Sequence, residues 1–313
     1  MSAPTLGLAL GSGSARGWAH IGVIRALEAR GVAPQVVCGT SVGALVGAAW
    51  VSGHLDALEA WVREMDWWDV LRFMDVKLGG GFISGEALMA AIGAQLDDVA
   101  IETLPHPFAA VATDLFSGEE MWLREGSLLE AVRASIALPG LFTPVARDER
   151  WLVDGGVVNP VPVSTARALG ADTVIAVNLN GDLVGRHRHQ PQPPEHVSRA
   201  ERAIKRDFTE QLLARVNHGL RERLMAGFRP GSGGEGAPGL FEVLASAINV
   251  MQDRITQQRL AQDAPAAVLT PRLANLGLLE FDRAAEAIDE GYACVERQWP
   301  ALEATLATTT EKG

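Results

Sequence analysis

The sequence predicts an α/β fold built on a mostly parallel central sheet, and two observations carry that expectation. The chain starts by alternating short apolar runs with helix-forming segments, the order strand, helix, strand, helix that stacks helices on a parallel layer. Further apolar runs at 108–113, 151–153 and 172–178 each pass into a polar loop, as expected where ligand chemistry sits at the carboxyl ends of strands.

Taken in order, Thr5-Leu6-Gly7-Leu8-Ala9-Leu10 reads as a first buried strand whose end opens into glycines. Residues 18–30 read as a helix, and Val36-Val37-Cys38 as the next strand. Ala44-Leu45-Val46-Gly47-Ala48-Ala49-Trp50 is a small, apolar helix former. Residues 56–85 look like an insertion, because Trp61, Trp67, Trp68, Phe73 and Phe82 precede or flank Gly79-Gly80-Gly81. Those rings suit core packing, with an aromatic flap over a site as the alternative.

After Asn180 the composition turns to His, Arg, Gln and Pro up to Pro193-Pro194, which marks a connection. Ile204, Phe208, Leu212, Val216, Leu220 and Leu224 then recur every four residues, a helical pattern that the glycine-rich stretch 231–239 separates from a second helix near 240–262. Residues 186–229 hold ten Arg or Lys against five Asp or Glu, including Arg199, Arg202, Lys205 and Arg206. Such a face fits either anionic lipid headgroups or a solvated outer helix surface, the latter being the commoner case. Val268-Leu269-Thr270-Pro271 reads as a last strand returning to the sheet, so the tail is not expected to stand as an independent domain.

Composition bounds the function. With 313 residues, 48% of them hydrophobic, the chain can bury a sizeable core. No apolar stretch reaches the roughly 18 residues that span a bilayer and no signal peptide is recognised, so a soluble, cytoplasmic protein is expected, with peripheral membrane contact admitted. Cys38 and Cys294 are the two cysteines, too few for a disulfide framework or a cysteine metal cluster. A formal charge of −11 argues against a nucleic-acid partner.

The chemistry-bearing motif is Gly39-Thr40-Ser41-Val42-Gly43. A serine between glycines at a strand-to-helix junction reads as a nucleophile elbow, with an ordinary glycine-rich turn as the bland alternative. Only hydrogen-sized neighbours let the flanking segments pass closely enough to expose the serine oxygen. Gly11-Ser12-Gly13-Ser14-Ala15-Arg16-Gly17 follows the first strand, where backbone amides at a helix start bind an anion. A dinucleotide pyrophosphate would want glycine where Arg16 stands, and an acidic residue at the end of the second strand. A transient oxyanion beside Ser41 needs only two well-aimed amides.

A serine needs a base. The elbow comes after one strand and one helix, too early for an α/β hydrolase, and none of His20, His54, His106, His187, His189, His196 and His218 takes a strand-end position. Asp154 does, at the end of Trp151-Leu152-Val153 and before Gly155-Gly156; the alternative is a plain Asp-Gly turn.

In this order the motifs resemble the patatin-like phospholipases, in particular their bacterial branch near the neuropathy-target-esterase type. The match comprises the loop 11–17, the elbow, Ala112-Thr113-Asp114, Ser135-Ile136-Ala137-Leu138-Pro139-Gly140-Leu141-Phe142 and Asp154-Gly155-Gly156, within roughly the first 180 residues. The resemblance implies a Ser-Asp dyad at Ser41 and Asp154, an oxyanion loop centred on Gly13 and Ser14, and neither metal nor organic cofactor. It implies a three-layer sandwich with an acyl hydrolase core over 5–180 and a helical C-terminal region over 181–313 packing on it. The family loop usually has consecutive glycines where this chain has Ser12-Gly13-Ser14, a substitution that keeps the backbone amides. Arg16 and Gly17 match the family pattern, Arg16 being read as a loop holder in preference to a contact for an anionic head group.

The expected function is a serine acyl hydrolase of phospholipase, lysophospholipase or esterase type acting on lipid or acyl-ester substrates. Its rivals are an acyltransferase using the same serine, told apart by capture of the acyl group on an added acceptor, and a non-enzymatic regulatory protein on this scaffold, which a serine-directed phosphonate would not label.

Overall fold

A computed structural model describes residues 4–73, 85–182 and 240–312. The basic stretch 186–229, the glycines 79–81 and 231–239, Phe82, Pro193-Pro194 and the four histidines from His187 to His218 lie outside the described residues.

The early part of the chain follows the predicted alternation. Strand β1 (Leu6–Leu10) leads through a short 3-10 turn at Ser14–Trp18 into α1 (Ala19–Ala29). Strand β2 (Val36–Thr40) then turns tightly into α2 (Val42–Val51). Helices α3 (Leu55–Glu64), α4 (Trp67–Phe73) and α5 (Glu86–Gly93) come before β3 (Phe108–Asp114). Next come β4 (Glu120–Leu123), α6 (Leu128–Ser135), β5 (Val145–Arg147) and β6 (Arg150–Asp154), then α7 (Val163–Ala168) and β7 (Thr173–Val177). The C-terminal part supplies α8 (Leu240–Asp263), β8 (Ala267–Leu269) and α9 (Ala284–Lys312).

Among the described residues the strands form one eight-stranded sheet with the hydrogen-bonded path β5-β6-β3-β2-β1-β7-β8, β4 pairing with β3. The centre is parallel: β1 lies between β2 and β7, β2 pairs with β3, and β8 extends the sheet beside β7. The returning strand expected near 268 is therefore part of the same sheet. Strands β4 and β6 run antiparallel to β3, and β5 antiparallel to β6. This corrects the expectation that the run 151–153 presents a carboxyl end alongside those of the parallel strands.

The antiparallel direction of β6 positions the site. Ala110 and Val111 of β3 pair with Gly39 and Thr40 of β2 and also with Leu123 and Trp122 of β4, so β2 and β4 occupy opposite edges of β3. Ala112 and Thr113 pair with β4 and with Asp154 and Val153 of β6. A strand has only two edges, so β6 takes up the edge of β3 that β2 leaves when it turns at Ser41. The last residue of β6, Asp154, arrives opposite Ala112, one register step beyond Thr40 opposite Val111.

Alternation across the sheet separates two cores. Leu8, Leu10 and Val37 face the larger one with residues of α1, α2, α6 and α9, whereas Ala9, Cys38 and Ala109 face Val163 and Ala166 of α7. The helix α9 crosses α1 at close range because Gly22 lies against the Ile288 carbonyl and Gly291 against the Ala19 carbonyl, where any side chain would collide. In the segment from residue 56, Trp61 and Phe73 pack against the larger core. Trp68 stays 57% exposed beside Trp67.

Candidate active site

Ser41 occupies the turn between β2 and α2 with φ 59° and ψ −129°, a conformation rare and costly for a residue with a side chain. Such strain persists only when the surroundings over-determine it. A Cβ on Gly39 would collide with the Gly43 and Ala44 backbone, and one on Gly43 with the carbonyls of Leu10 and Gly11. The glycines thus permit the strand, helix and loop to meet at one point. The Ser41 amide donates to Ser135 Oγ (2.9 Å), which donates to the Val111 carbonyl (2.6 Å), and Thr40 Oγ1 donates to the Asn159 carbonyl (2.8 Å).

Ser41 Oγ donates to Asp154 Oδ2 at 2.5 Å. The other carboxylate oxygen, Oδ1, accepts the Gly156 amide at 2.7 Å, so the Asp-Gly turn is present as well and fixes the rotamer. The Asp154 backbone is held by the Ala137 carbonyl (2.9 Å) and the Thr113 hydroxyl (2.9 Å). Only 1% of Asp154 is exposed, and burial pushes its carboxyl up to about 6, against the hydrogen bonds from Ser41 and Gly156 that favour the charged form. An aspartate raised this far is a better base than a free one, yet still ionised at neutral pH. A Cβ on Gly155 would collide with the Val111 carbonyl, so this glycine lets the Asp154 turn lie on β3.

The loop 11–17 crosses beside the elbow. The Gly11 amide donates to the Val177 carbonyl (3.1 Å), that of Ser12 to Pro160 (2.8 Å) and that of Ala15 to Leu278 (3.1 Å). The amides of Gly13 and Ser14 make no hydrogen bond among the described residues. The Gly13 carbonyl accepts from the Arg16 amide (3.1 Å) and Arg16 Nε (3.3 Å). In a trans peptide the carbonyl and the following N–H point oppositely, so this tether aims the Ser14 N–H away from Arg16. Gly17 lies against Val42, leaving no room for a Cβ. Arg16 is buried, its pKa lowered by desolvation to about 10, and among the described residues it meets no carboxylate. Its contacts are those of a loop holder.

Ser41 and Ser14 stand in the wall of an otherwise apolar cavity. Its lining includes Trp18, Val42, Leu45, Trp61, Met65, Phe73 and Ile92, together with Ile136, Leu138 and Phe142. Hydrocarbon is the chemistry that such walls accept. Trp61 and Phe73 therefore combine core packing with lining the site.

The described histidines make no hydrogen bond to Ser41 or Asp154. His20 is fully buried, its Nε2 lies 2.7 Å from the Gly11 carbonyl, and burial lowers its pKa to about 4, so it is a neutral imidazole donating through Nε2. His54 contacts Ser52 (3.1 Å) and Asp97 (3.4 Å), and His106 stacks on Trp50, both in a separate groove. Among the described residues no group of three or more His, Cys, Asp or Glu is placed to hold a metal ion. No helix there is long and apolar enough to cross a membrane.

The sequence pointed to Ser41, Asp154, Gly13 and Ser14 but gave no role to Ser135, quoted only within a longer motif, or to His20, Asn249 and Gln252. The contacts of Ser135, Asn249 and Gln252 join distant parts of the chain and leave no local pattern, and His20 reaches Gly11 across nine residues.

Known proteins resemble this chain in sequence and in fold. The family described as patatin-like phospholipase matches residues 8–167. An uncharacterized NTE family protein of Mycobacterium tuberculosis is 35% identical over 96% of this chain and 93% of its own length. The human patatin-like phospholipase domain-containing protein 6 is 36% identical over 56% of this chain and 13% of its own, and neuropathy target esterase of Drosophila melanogaster is 34% identical over the same shares. Among solved structures, VipD from Legionella pneumophila superposes with a TM-score of 0.54 at 13% identity, covering 99% of this chain and 67% of that one, a likeness of fold.

Proposed function

We infer, for a chain that belongs to the patatin-like phospholipase family, that Ser41 and Asp154 form the catalytic dyad of a serine acyl hydrolase acting on lipid esters. As a member of that family the protein is a lipid esterase of phospholipase type. The observation that carries the finer reading is the 2.5 Å hydrogen bond from Ser41 Oγ to Asp154 Oδ2 at a strained elbow.

In this mechanism Asp154 Oδ2 takes the Ser41 hydroxyl proton as Oγ attacks the ester carbonyl carbon. The carbonyl oxygen gains the negative charge and accepts hydrogen bonds from the Gly13 and Ser14 amides, the two that the loop leaves unpaired. Collapse breaks the carbonyl carbon's bond to the alcohol oxygen, which leaves with the proton held on Asp154. Water then attacks the acyl-Ser41 ester, gives its proton to Asp154, and the fatty acid departs as Ser41 regains a proton. The apolar cavity holds the acyl chain, and the polar residues at the loops keep the dyad at its edge. The division into a hydrolase core over 5–180 and a helical region over 181–313 belongs to the same reading.

A fluorophosphonate probe together with fatty-acid release from phospholipids, lysophospholipids and p-nitrophenyl esters tests the proposal. The parent should label and hydrolyse, and Ser41→Ala should do neither while keeping its thermal transition. Turnover at the parental rate in that variant overturns the assignment.

A further inference from the structure

Helix α8 lies beyond the residues matched to the family, yet two of its side chains touch the loops on either side of Ser41. Gln252 is 7% exposed, and its Oε1 accepts from Ser12 Oγ (3.3 Å) and Asn180 Nδ2 (3.2 Å). Its Nε2 rests on Gly156, so closely that a Cβ there would come within 2.5 Å of it. Gly156 is the residue whose amide fixes Asp154 Oδ1. One helical turn earlier, Asn249 Oδ1 accepts from Arg16 Nη2 at 3.2 Å, and the same guanidinium holds the Gly13 carbonyl through Nε.

We propose that Asn249 and Gln252 are positioning residues of the hydrolase site, through which α8 sets the spacing between the oxyanion loop and the Asp154 turn. The inference rests on the dyad reading. Each contact acts on a group whose direction matters. Asn249 orients Arg16, Arg16 holds the Gly13 carbonyl, and that carbonyl fixes where the Ser14 N–H points. Gln252 ties Ser12, next to Gly13, to the glycine that carries the Asp154 hydrogen bond. Packing alone would be served by an apolar side chain of the same volume, since a buried amide is costly unless its hydrogen bonds are made. The oxyanion amides act on charge that appears in the transition state, so a small error in their aim lowers kcat and leaves ground-state binding nearly untouched.

The test uses the full chain and a p-nitrophenyl ester, with active sites counted by fluorophosphonate titration to completion so that misfolded molecules drop out. Asn249→Leu and Gln252→Leu keep volume and remove the acceptors; Asn249→Asp keeps an oxygen for Arg16; Met251→Ala, at an exposed position of the same helix, is the control. Per labelled site, each leucine variant should lose about 10- to 100-fold in kcat with KM within about threefold, the size expected for a misplaced catalytic group. Asn249→Asp should recover most of the loss, which a purely structural role would not require. Per-site kcat within twofold of the parent in both leucine variants, or a leucine variant whose KM rises at constant kcat, overturns the inference. A parent that neither labels nor hydrolyses refutes the dyad reading, and this inference with it, before any α8 variant is compared.

Discussion

The Ser41 amide donates to Ser135 Oγ, so the strained turn that carries one serine is anchored by the hydroxyl of another at the end of α6. Because Ser135 in turn donates to the Val111 carbonyl, its hydroxyl links the elbow to β3, the strand beside which Asp154 is paired.

Ser135→Ala therefore strands a buried N–H and a buried carbonyl, at a cost of about 1–3 kcal/mol in stability. The elbow also gains freedom to relax from φ 59°. We expect kcat on a p-nitrophenyl ester to fall about tenfold or more with KM little changed, because the damage is to the aim of Oγ. A folded variant with parental kcat would show that the glycines alone hold the turn.

The cavity beside Ser41 makes a prediction about chain length. Met65, buried at the end of α3, lines it, and a thioether side chain leaves room that an indole would fill. Met65→Trp is expected to lower kcat/KM for long-chain p-nitrophenyl esters by about tenfold while sparing the acetate or butyrate, at a stability cost of about 1–3 kcal/mol for overpacking. Equal losses across the ester series would mean that the acyl chain lies elsewhere.

The parts of the site legible in sequence are those that a few neighbouring residues dictate. Gly39 and Gly43 announce the elbow because they flank the serine within five residues, although only the collision Gly39 avoids is local to the turn and that of Gly43 is with Leu10 and Gly11; the Asp154 turn is announced by Gly155-Gly156 after an apolar run. The direction of β6 was not legible, since a three-residue apolar run reads alike in either direction and its pairing with β3 is decided by tertiary contact. Ser135 and Gln252 were silent for the same reason: their partners Ser41 and Ser12 lie 94 and 240 residues away in the chain. The returning strand β8 was readable from its apolar residues, whereas nothing local indicated that α8 reaches the loops.

Histidine variants separate the dyad from a triad. His54→Ala and His106→Ala, in the groove with Trp50 and Asp97, should each keep most of the parental turnover. His20→Ala should lose activity together with stability, because it removes the donor that holds the Gly11 carbonyl. The acid limb of the pH–rate profile should remain near 6 in all active histidine variants, as that limb belongs to Asp154. A limb that disappears with one histidine would assign the base to that residue.

The two buried titratable groups at the site oppose one another in stability, and Asp154→Asn should expose the balance. Asp154 is raised from 3.8 to about 6, so between those values the native state holds a proton that the unfolded chain has lost. Its contribution makes the protein less stable as pH rises through that window, by about 3 kcal/mol in full above pH 6. His20 is lowered from 6.5 to about 4, so there the unfolded chain holds the extra proton, and stability falls by a similar amount as pH drops from 6.5 to 4. In the parent the two slopes largely cancel between pH 4 and 6. Asp154→Asn removes one of them and abolishes hydrolysis. Denaturant melts of the variant should therefore lose about 1.4 kcal/mol more per pH unit than the parent on acidification through this range, about one proton's worth. At pH 8 the variant should equal or exceed the parent in stability despite being inactive, because the cost of burying a charged carboxylate is gone. A variant whose slope matches the parent's from pH 6 to 4 would show that Asp154 titrates near its ordinary value and that its burial does not tune it as a base.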